Sequence, residues 1–245
     1  MAHRIDLSGK DLRTMDLTKI NLVGANLSGC NLSGMNLSGL NLAKANFRRA
    51  NLTEAVFCKA SIDGANFTDA ILTKANLSGF YLAHTVFKKA DLSEANLSDV
   101  SFHQCDFTKA ILKGADLSDA GLCGVIMTHA NLSHACLEKT TVTIDMEIEA
   151  VFFNDDDGER HMNTKSYTDF ASELQYVDFS YANLKEADFY ACDMMGANFY
   201  RANLEGAKIS CTIINKARFT KANIKGAIFD RTTIEDAIDL TLPKD

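Results

Sequence analysis

The sequence predicts an all-β solenoid in which short extended pieces alternate with tight bends, and three observations carry that prediction. Apolar residues recur every five positions: from Leu7 through Leu12, Leu17 and Leu22 to Leu137, all 27 such centres are Leu, Phe, Ile or Met, and 13 more run from Leu174 to Ile234. The residue two places before a centre is Ala in 23 of these 40 repeats, and the residue just before it is Asn or Asp in 24. Twelve of the 14 glycines stand two places after a centre, as Gly24, Gly29 and Gly34 do. A period of five fits neither common element. A helix would spread the centres around its circumference, and a flat strand would send alternate centres to opposite faces. A short extended piece followed by a bend points the centre and the residue two before it inward and turns the other three out. Glycine accepts positive φ without strain, so it marks the corner.

Strings such as ANLSG, ANFRRANLTEA and ADLSEANLSD resemble the pentapeptide-repeat family, over about four-fifths of the chain. The resemblance implies a right-handed quadrilateral β-helix with four pentapeptides per coil, so that residues twenty apart stack. Forty repeats then make about ten coils, a rod about 48 Å long at the usual strand spacing. The first array, 1–142, stacks Leu7, Leu27, Phe47, Phe67, Phe87, Phe107 and Met127 in one column. Lys10 falls in an inward slot of the first coil, which is therefore expected to fray or to act as a cap. The second array, 174–236, carries a column of Phe179, Phe199 and Phe219.

Residues 143–173 interrupt the period, and the spacing of 37 from Leu137 to Leu174 is not a multiple of five. Val142, Ile144, Met146 and Ile148 alternate with Thr143, Asp145, Glu147 and Glu149, which is the period of a strand. The run from Asn154 to Gly158 signals a turn. A hairpin or flap is expected here, followed by a short helix capped by Thr168. Either the arrays continue one rod with the insertion bulging from it, or they form two rods with a kink. The segment 237–245 reads as a cap or tail. Ile234, Ala237, Ile238, Leu240 and Leu242 are apolar and precede Pro243, so this end covers the last coil or meets a second copy. The resemblance favours a homodimer through the C-terminal end.

Composition narrows the function. With 245 residues, 25 Lys+Arg against 32 Asp+Glu and 47% hydrophobic residues, the chain reads as soluble and globular. No apolar run approaches the roughly 18 residues of a membrane span, and the start MAHRIDLSGK lacks the apolar stretch of a secretory signal. A cytoplasmic protein is expected. The 7 cysteines include no CxxC pair, which fits reduced thiols better than a disulfide framework or a zinc site. Residues 1–142 carry net charge +1, residues 143–175 carry −7 and residues 176–245 carry −1, so the insertion alone equals the whole chain's −7. Some pentapeptide-repeat proteins are thought to imitate duplex DNA, bind type II topoisomerases such as gyrase and protect them from quinolones. A DNA mimic of this length would need about 28 negative charges. The rod is neutral, and Asn21, Asn26, Asn31, Asn36, Asn41, Asn46 and Asn51 occupy slots where a mimic could place Asp. The absence of a net-basic domain argues against nucleic acid as a partner.

Two features are candidates for contact with a partner protein. Arg48, Arg49, Lys88, Lys89 and Lys109, with His129, line up on one outward face, diluted by Asp69 and Asp106. This stripe is either a docking surface for an acidic partner or a solvated face. Phe152 and Phe153 have no place in the column and stand beside the acidic tip Asp155, Asp156, Asp157 and Glu159. An EF-hand would need an acidic ligand where Phe153 stands, so the tip suits a hydrated turn or a partner contact better than calcium. His84 and His103 share a column but lack a third ligand. Cys30, Cys105 and Cys192 sit in inward slots as small core residues, whereas Cys58, Cys123, Cys136 and Cys211 face out. No catalytic motif, cofactor site or metal site emerges, and a filled rod lacks the concave pocket catalysis needs. The expectation is a non-enzymatic protein–protein interaction scaffold. The alternatives are a DNA mimic acting on gyrase and, from the family's spread, a delivered bacterial effector module.

Overall fold

On three of the four sides the pentapeptides close as hydrogen-bonded turns. Ala45 donates its N–H to the Leu42 carbonyl (3.0 Å), and Ala50 does the same to Phe47 (3.0 Å). The residue two after the centre has positive φ, as a type II turn requires. Glycine identifies only part of this slot: φ is 65° at Gly24 but also 58° at Lys44, 59° at Glu54, 61° at His129 and 57° at Tyr176. A left-handed conformation costs a non-glycine residue about 1–2 kcal/mol. The ladder opposes that cost where the strained residue donates its own N–H to the next coil, as Lys44 does to Asp63 (2.8 Å) and Glu54 to Thr73 (2.9 Å). Ala191, at φ 51°, has no long side chain to lose. Ala191→Gly is expected to raise stability by about 0.5–1 kcal/mol, read as a higher thermal midpoint, whereas Ala191→Val lowers it.

Coils stack by paired bonds at a separation of 20. The Leu27 N–H donates to Asn46 (2.8 Å), and the Asn46 N–H donates to Ala25 (2.9 Å). A computed structural model describes residues 4–79, 81–143, 152–154, 160–162 and 172–240, and among them there is no helix. On three of the four sides the rungs are single bridges. On the fourth they lengthen into strands β1 (Tyr81–Ala83), β2 (Ser101–His103), β3 (Gly121–Cys123) and β4 (Thr141–Thr143). After β5 (Phe152–Asn154) and β6 (Arg160–Met162), this side resumes with β7 (Asp188–Tyr190), β8 (Lys208–Ser210) and β9 (Ile228–Asp230). These seven make one parallel sheet in the order β1-β2-β3-β4-β7-β8-β9.

The pairing of β4 with β7 joins the two arrays in one ladder. Bridges Ile126↔Glu173, Asn131↔Asp178 and Cys136↔Asn183 carry a separation of 47 in place of 20, an excess of 27 residues. The frame that slips in sequence is thus restored in space. Ser172, fully buried, donates its hydroxyl to the Thr143 carbonyl (2.8 Å). The boundaries move accordingly. Thr143 belongs to β4, paired with Cys123, and Glu173 is already bridged to Ile126, so residues 144–171 lie between the arrays. Within that stretch β5 and β6 form an antiparallel hairpin, with Phe152 opposite Met162 and Asn154 opposite Arg160. The expected alternating run at 144–150, the acidic tip at 155–159 and the short helix near Thr168 fall outside the described residues.

The centres form a dry column. Leu12 to Leu137 are each at most 3% exposed. Phe47, Phe67, Phe87 and Phe107 stack face to face, with ring centroids 4.7, 5.1 and 4.8 Å apart. After Met127 that column continues in Leu174, while the aromatic stack resumes on the next side as Phe179, Phe199 and Phe219 beneath Leu132. The first coil is not frayed. Lys10 is exposed, its carbonyl accepts from the Asn31 N–H (3.0 Å), and Leu7 is only 7% exposed. An open edge lets the ammonium reach water from an inward slot. At the other end the ladder runs two residues into the expected tail, through the bridge Arg218↔Ile238. Asp239 then stands where the next centre would fall, and Leu240 packs against the core instead.

Candidate interaction surface

The outward slot before each centre has a structural task that restricts its chemistry. Asn51 Oδ1 accepts the Thr53 N–H (3.1 Å) and hydroxyl (2.7 Å), and Asp91, Asp106 and Asp116 serve Ser93, Thr108 and Ser118 alike. Asparagine also donates along the rod, from Asn46 to Asn26 (3.2 Å) and from Asn223 to Asn203 (2.9 Å). An aspartate can cap the turn but cannot donate to its neighbour. These slots are therefore interlocked rungs, not free sites for a field of charge. At Asp11 the hydrogen bond from the Arg13 side chain, with its backbone N–H, brings the carboxyl down to about 2.

The basic stripe comes together on one corner as expected, but it is matched by carboxylates. Arg48 lies 3.9 Å from Asp69, and Lys88 lies 2.9 Å from Asp106. Arg49, Lys89 and Lys109 occupy the left-handed corner slot of the same side and are exposed. The glycine above Arg49 leaves a shallow depression of about 340 Å³ lined by Ser28, Gly29, Asn46, Arg48 and Arg49. Phe152 and Phe153 are strand residues of β5. Asp155, Asp156, Asp157 and Glu159 lie outside the described residues. The His84 and His103 rings meet edge to face at 5.9 Å, and no group of metal-ligating side chains is found among the described residues.

The inward cysteines are hydrogen-bonded core residues. Cys30 Sγ donates to Leu7 (3.0 Å) and Cys105 Sγ to Leu82 (3.5 Å), the same job that Thr140 does for Leu117 (2.7 Å). Burial pushes the Cys105 thiol up to about 11 and the Cys192 thiol further still. In the folded protein at pH 8, a thiol-reactive dye should label Cys58 and Cys211, which are exposed, and spare Cys30, Cys105 and Cys192 until denaturant is added. Rapid native labelling of Cys105 or Cys192, read by peptide mass mapping, would contradict the inward placement.

One cluster escaped the sequence reading. Below the stripe, His129 stacks on Tyr176 at 5.1 Å, and on the next corner His134 stacks on Tyr181 at 4.9 Å. Tyr176 is 49% exposed and Tyr181 44%. Tyr176 also lies over Gly196, where an added Cβ would stand 2.6 Å from its ring. The Arg201 guanidinium covers both Tyr181 (5.8 Å) and Tyr200 (5.5 Å), and Arg218 covers Tyr200 (5.2 Å). The histidine stacks need the separation of 47, which sets Tyr176 under His129 and Tyr181 under His134, whereas Tyr181 and Arg201 are twenty apart in the second array.

A filled β-solenoid with its polar side chains on the outer faces defines a class of repeat protein. The chain belongs to the pentapeptide-repeat family, whose model matches eight times, over residues 3–34, 36–73, 50–88, 75–114, 85–122, 101–143, 172–210 and 198–236. Among solved structures it is similar to HetL, a pentapeptide-repeat protein involved in heterocyst differentiation regulation from the cyanobacterium Nostoc. The identity is 24% and the TM-score 0.50, covering 96% of this chain and 86% of that one, a likeness that shows the fold alone. It also matches full-length QnrB1, a plasmid-mediated fluoroquinolone resistance protein, at 14% identity and TM-score 0.37, covering 95% of this chain and 92% of that one. No curated protein matches the chain. No helix among the described residues is long and apolar enough to cross a membrane.

Proposed function

We propose that the chain is a non-enzymatic scaffold that binds a partner protein through its outward faces and its acidic insertion. The observation that carries this reading is the continuous column of buried centres, which fills the axis and leaves chemistry only to the surface. The basic corner of Arg48, Arg49, Lys88, Lys89 and Lys109 is one proposed contact. The insertion, with Phe152, Phe153, Asp155, Asp156, Asp157 and Glu159, is the other. A second copy binds at the C-terminal end, a proposal supported by Ile228 and Ile238, which are 54% and 51% exposed there. Seven free cysteines support a reducing, cytoplasmic setting.

Affinity capture from the native host with mass spectrometry tests the reading. The full chain should retain a specific protein, and a chain lacking 150–165 should lose it while keeping its circular dichroism and melting. Retention by both would remove the insertion from the contact, and an unfolded deletion variant would make it structural. A gyrase supercoiling assay run with and without a quinolone should show no effect of the protein, and protection would overturn the scaffold reading in favour of DNA mimicry.

A further inference from the structure

We infer that the corner formed by Tyr181, Tyr200, Arg201 and Arg218 is a docking site for an acidic segment of a partner protein. The inference rests on the scaffold reading and adds where the rod binds and what it selects. The charge arrangement here differs from that of the basic stripe. There, Arg48 and Lys88 are already matched to Asp69 and Asp106. Here, Arg201 and Arg218 make no ion pair among the described residues. Each guanidinium instead lies over tyrosine, with Arg201 above two rings. Contact of the cation with a ring uses none of the guanidinium's N–H donors, of which Thr220 takes only the Arg218 Nε–H, and a carboxylate can meet the others in a fork. It also holds the side chain in place, so less freedom is lost on binding.

Nearby carboxylates are turned to other tasks. Asp178 Oδ1 accepts from the Ser180 N–H (3.0 Å) and from Asn198 (2.9 Å). Asp193 accepts from the Met195 N–H (3.0 Å) and from Gln175 (2.8 Å). Asp239 borders Arg218 through Thr220, whose hydroxyl donates to it while accepting from Arg218 Nε (3.2 Å). Lys216 and Lys221 are exposed on the same two corners and extend the positive charge along the rod. Both broad faces of Tyr181 are already covered, by His134 and by Arg201, so the corner offers cation donors and ring edges, not a platform for stacking bases. An acidic peptide fits that chemistry and single-stranded nucleic acid does not.

The probe is a fluorescein-labelled hexaglutamate peptide, titrated with the full chain at low salt and followed by anisotropy. Saturable binding is expected, about tenfold weaker in the Arg201→Gln, Arg218→Gln double variant and unchanged in Lys59→Gln, Lys139→Gln, two exposed lysines outside every proposed contact. Arg201→Lys should also weaken it, because an ammonium cannot meet a carboxylate in a two-bond fork. Thermal melts of these variants should match the parent, since every altered side chain is exposed. Absence of saturable binding, or equal losses in both double variants, would overturn the proposal. Binding that appears only after removal of 144–170 would also overturn it and give the corner to the chain's own acidic segment. In the capture experiment, a partner retained by the Arg201→Gln, Arg218→Gln variant sinks this site and leaves the scaffold reading standing. Failure of the parent to capture any protein sinks that reading itself.

Discussion

Leu92→Asp abolishes cooperative folding at room temperature. The Leu92 side chain is fully buried in the column, and its N–H donates to Ile111 of the next coil at 2.7 Å. A carboxylate there has neither water nor a cation, which costs at least several kcal/mol. Total stability of a domain is only about 5–15 kcal/mol. Because each coil touches only its neighbours, the defect also removes the surface on which those neighbours pack. Circular dichroism against temperature should show no sigmoidal transition. The matched surface control is Thr73→Asp, which should melt like the parent: Thr73 faces outward after Ile71, with no carboxylate in the preceding slot. Ser93 is a poorer control, because its hydroxyl donates to Asp91 at 2.6 Å, where a second carboxylate would meet the first. A folded Leu92→Asp protein would place that residue on the surface.

The second large effect is Phe67→Ala, which should destabilise by about 3–5 kcal/mol. The Phe67 ring is stacked between Phe47 and Phe87 at 4.7 and 5.1 Å and meets the edge of Phe57 at 6.2 Å. Removing it opens a void between two coils whose backbones are tied by ladder bonds above and below. The bonds resist collapse into the void, so both the transfer loss and the lost contacts are felt. For a chain of this size the midpoint should fall by about 6–20 °C. Phe229→Ala should cost less, because Phe229 is only partly buried in the last coil. Equal effects at Phe67 and Phe229 would contradict a column that is driest in the middle.

What could be read from sequence follows from what a period reveals. The centres at Leu7 to Leu137 and Leu174 to Ile234 name their own burial, and Gly24, Gly29 and their equivalents name the corner. Stacking within each array follows from adding twenty. The junction could not be read this way. The spacing of 37 between Leu137 and Leu174 hides a whole number of repeats behind an insertion whose ends carry no mark, so no multiple of five relates His129 to Tyr176. The left-handed slot was half visible, because Lys44, Glu54 and Tyr176 hold it against their own preference, carried by ladder bonds that only the coil above or below supplies. Asparagine in the slot before the centre looked like an unused position for charge. Its two roles, accepting from the turn and donating to the next coil, need coordinates. The dilution of the stripe by Asp69 and Asp106 was legible from their column, and so was Arg201 beneath Tyr181, twenty residues on, but the stacking of Tyr181 on His134 was not, because it needs the junction.

The coils before and after the insertion are successive rungs of one ladder, separated by an excess of 27 residues. Removing residues 144–170 puts that continuity to the test. The join Val142-Thr143-Ala171-Ser172-Glu173-Leu174 restores a five-residue step and sets an alanine, like Ala191, in the left-handed slot. A loop of this length costs about 3 kcal/mol to close, so the shortened chain should keep its β-rich circular dichroism and melt cooperatively at or above the temperature of the full chain. Loss of the cooperative transition, or two separate transitions, would show that the arrays do not share a ladder.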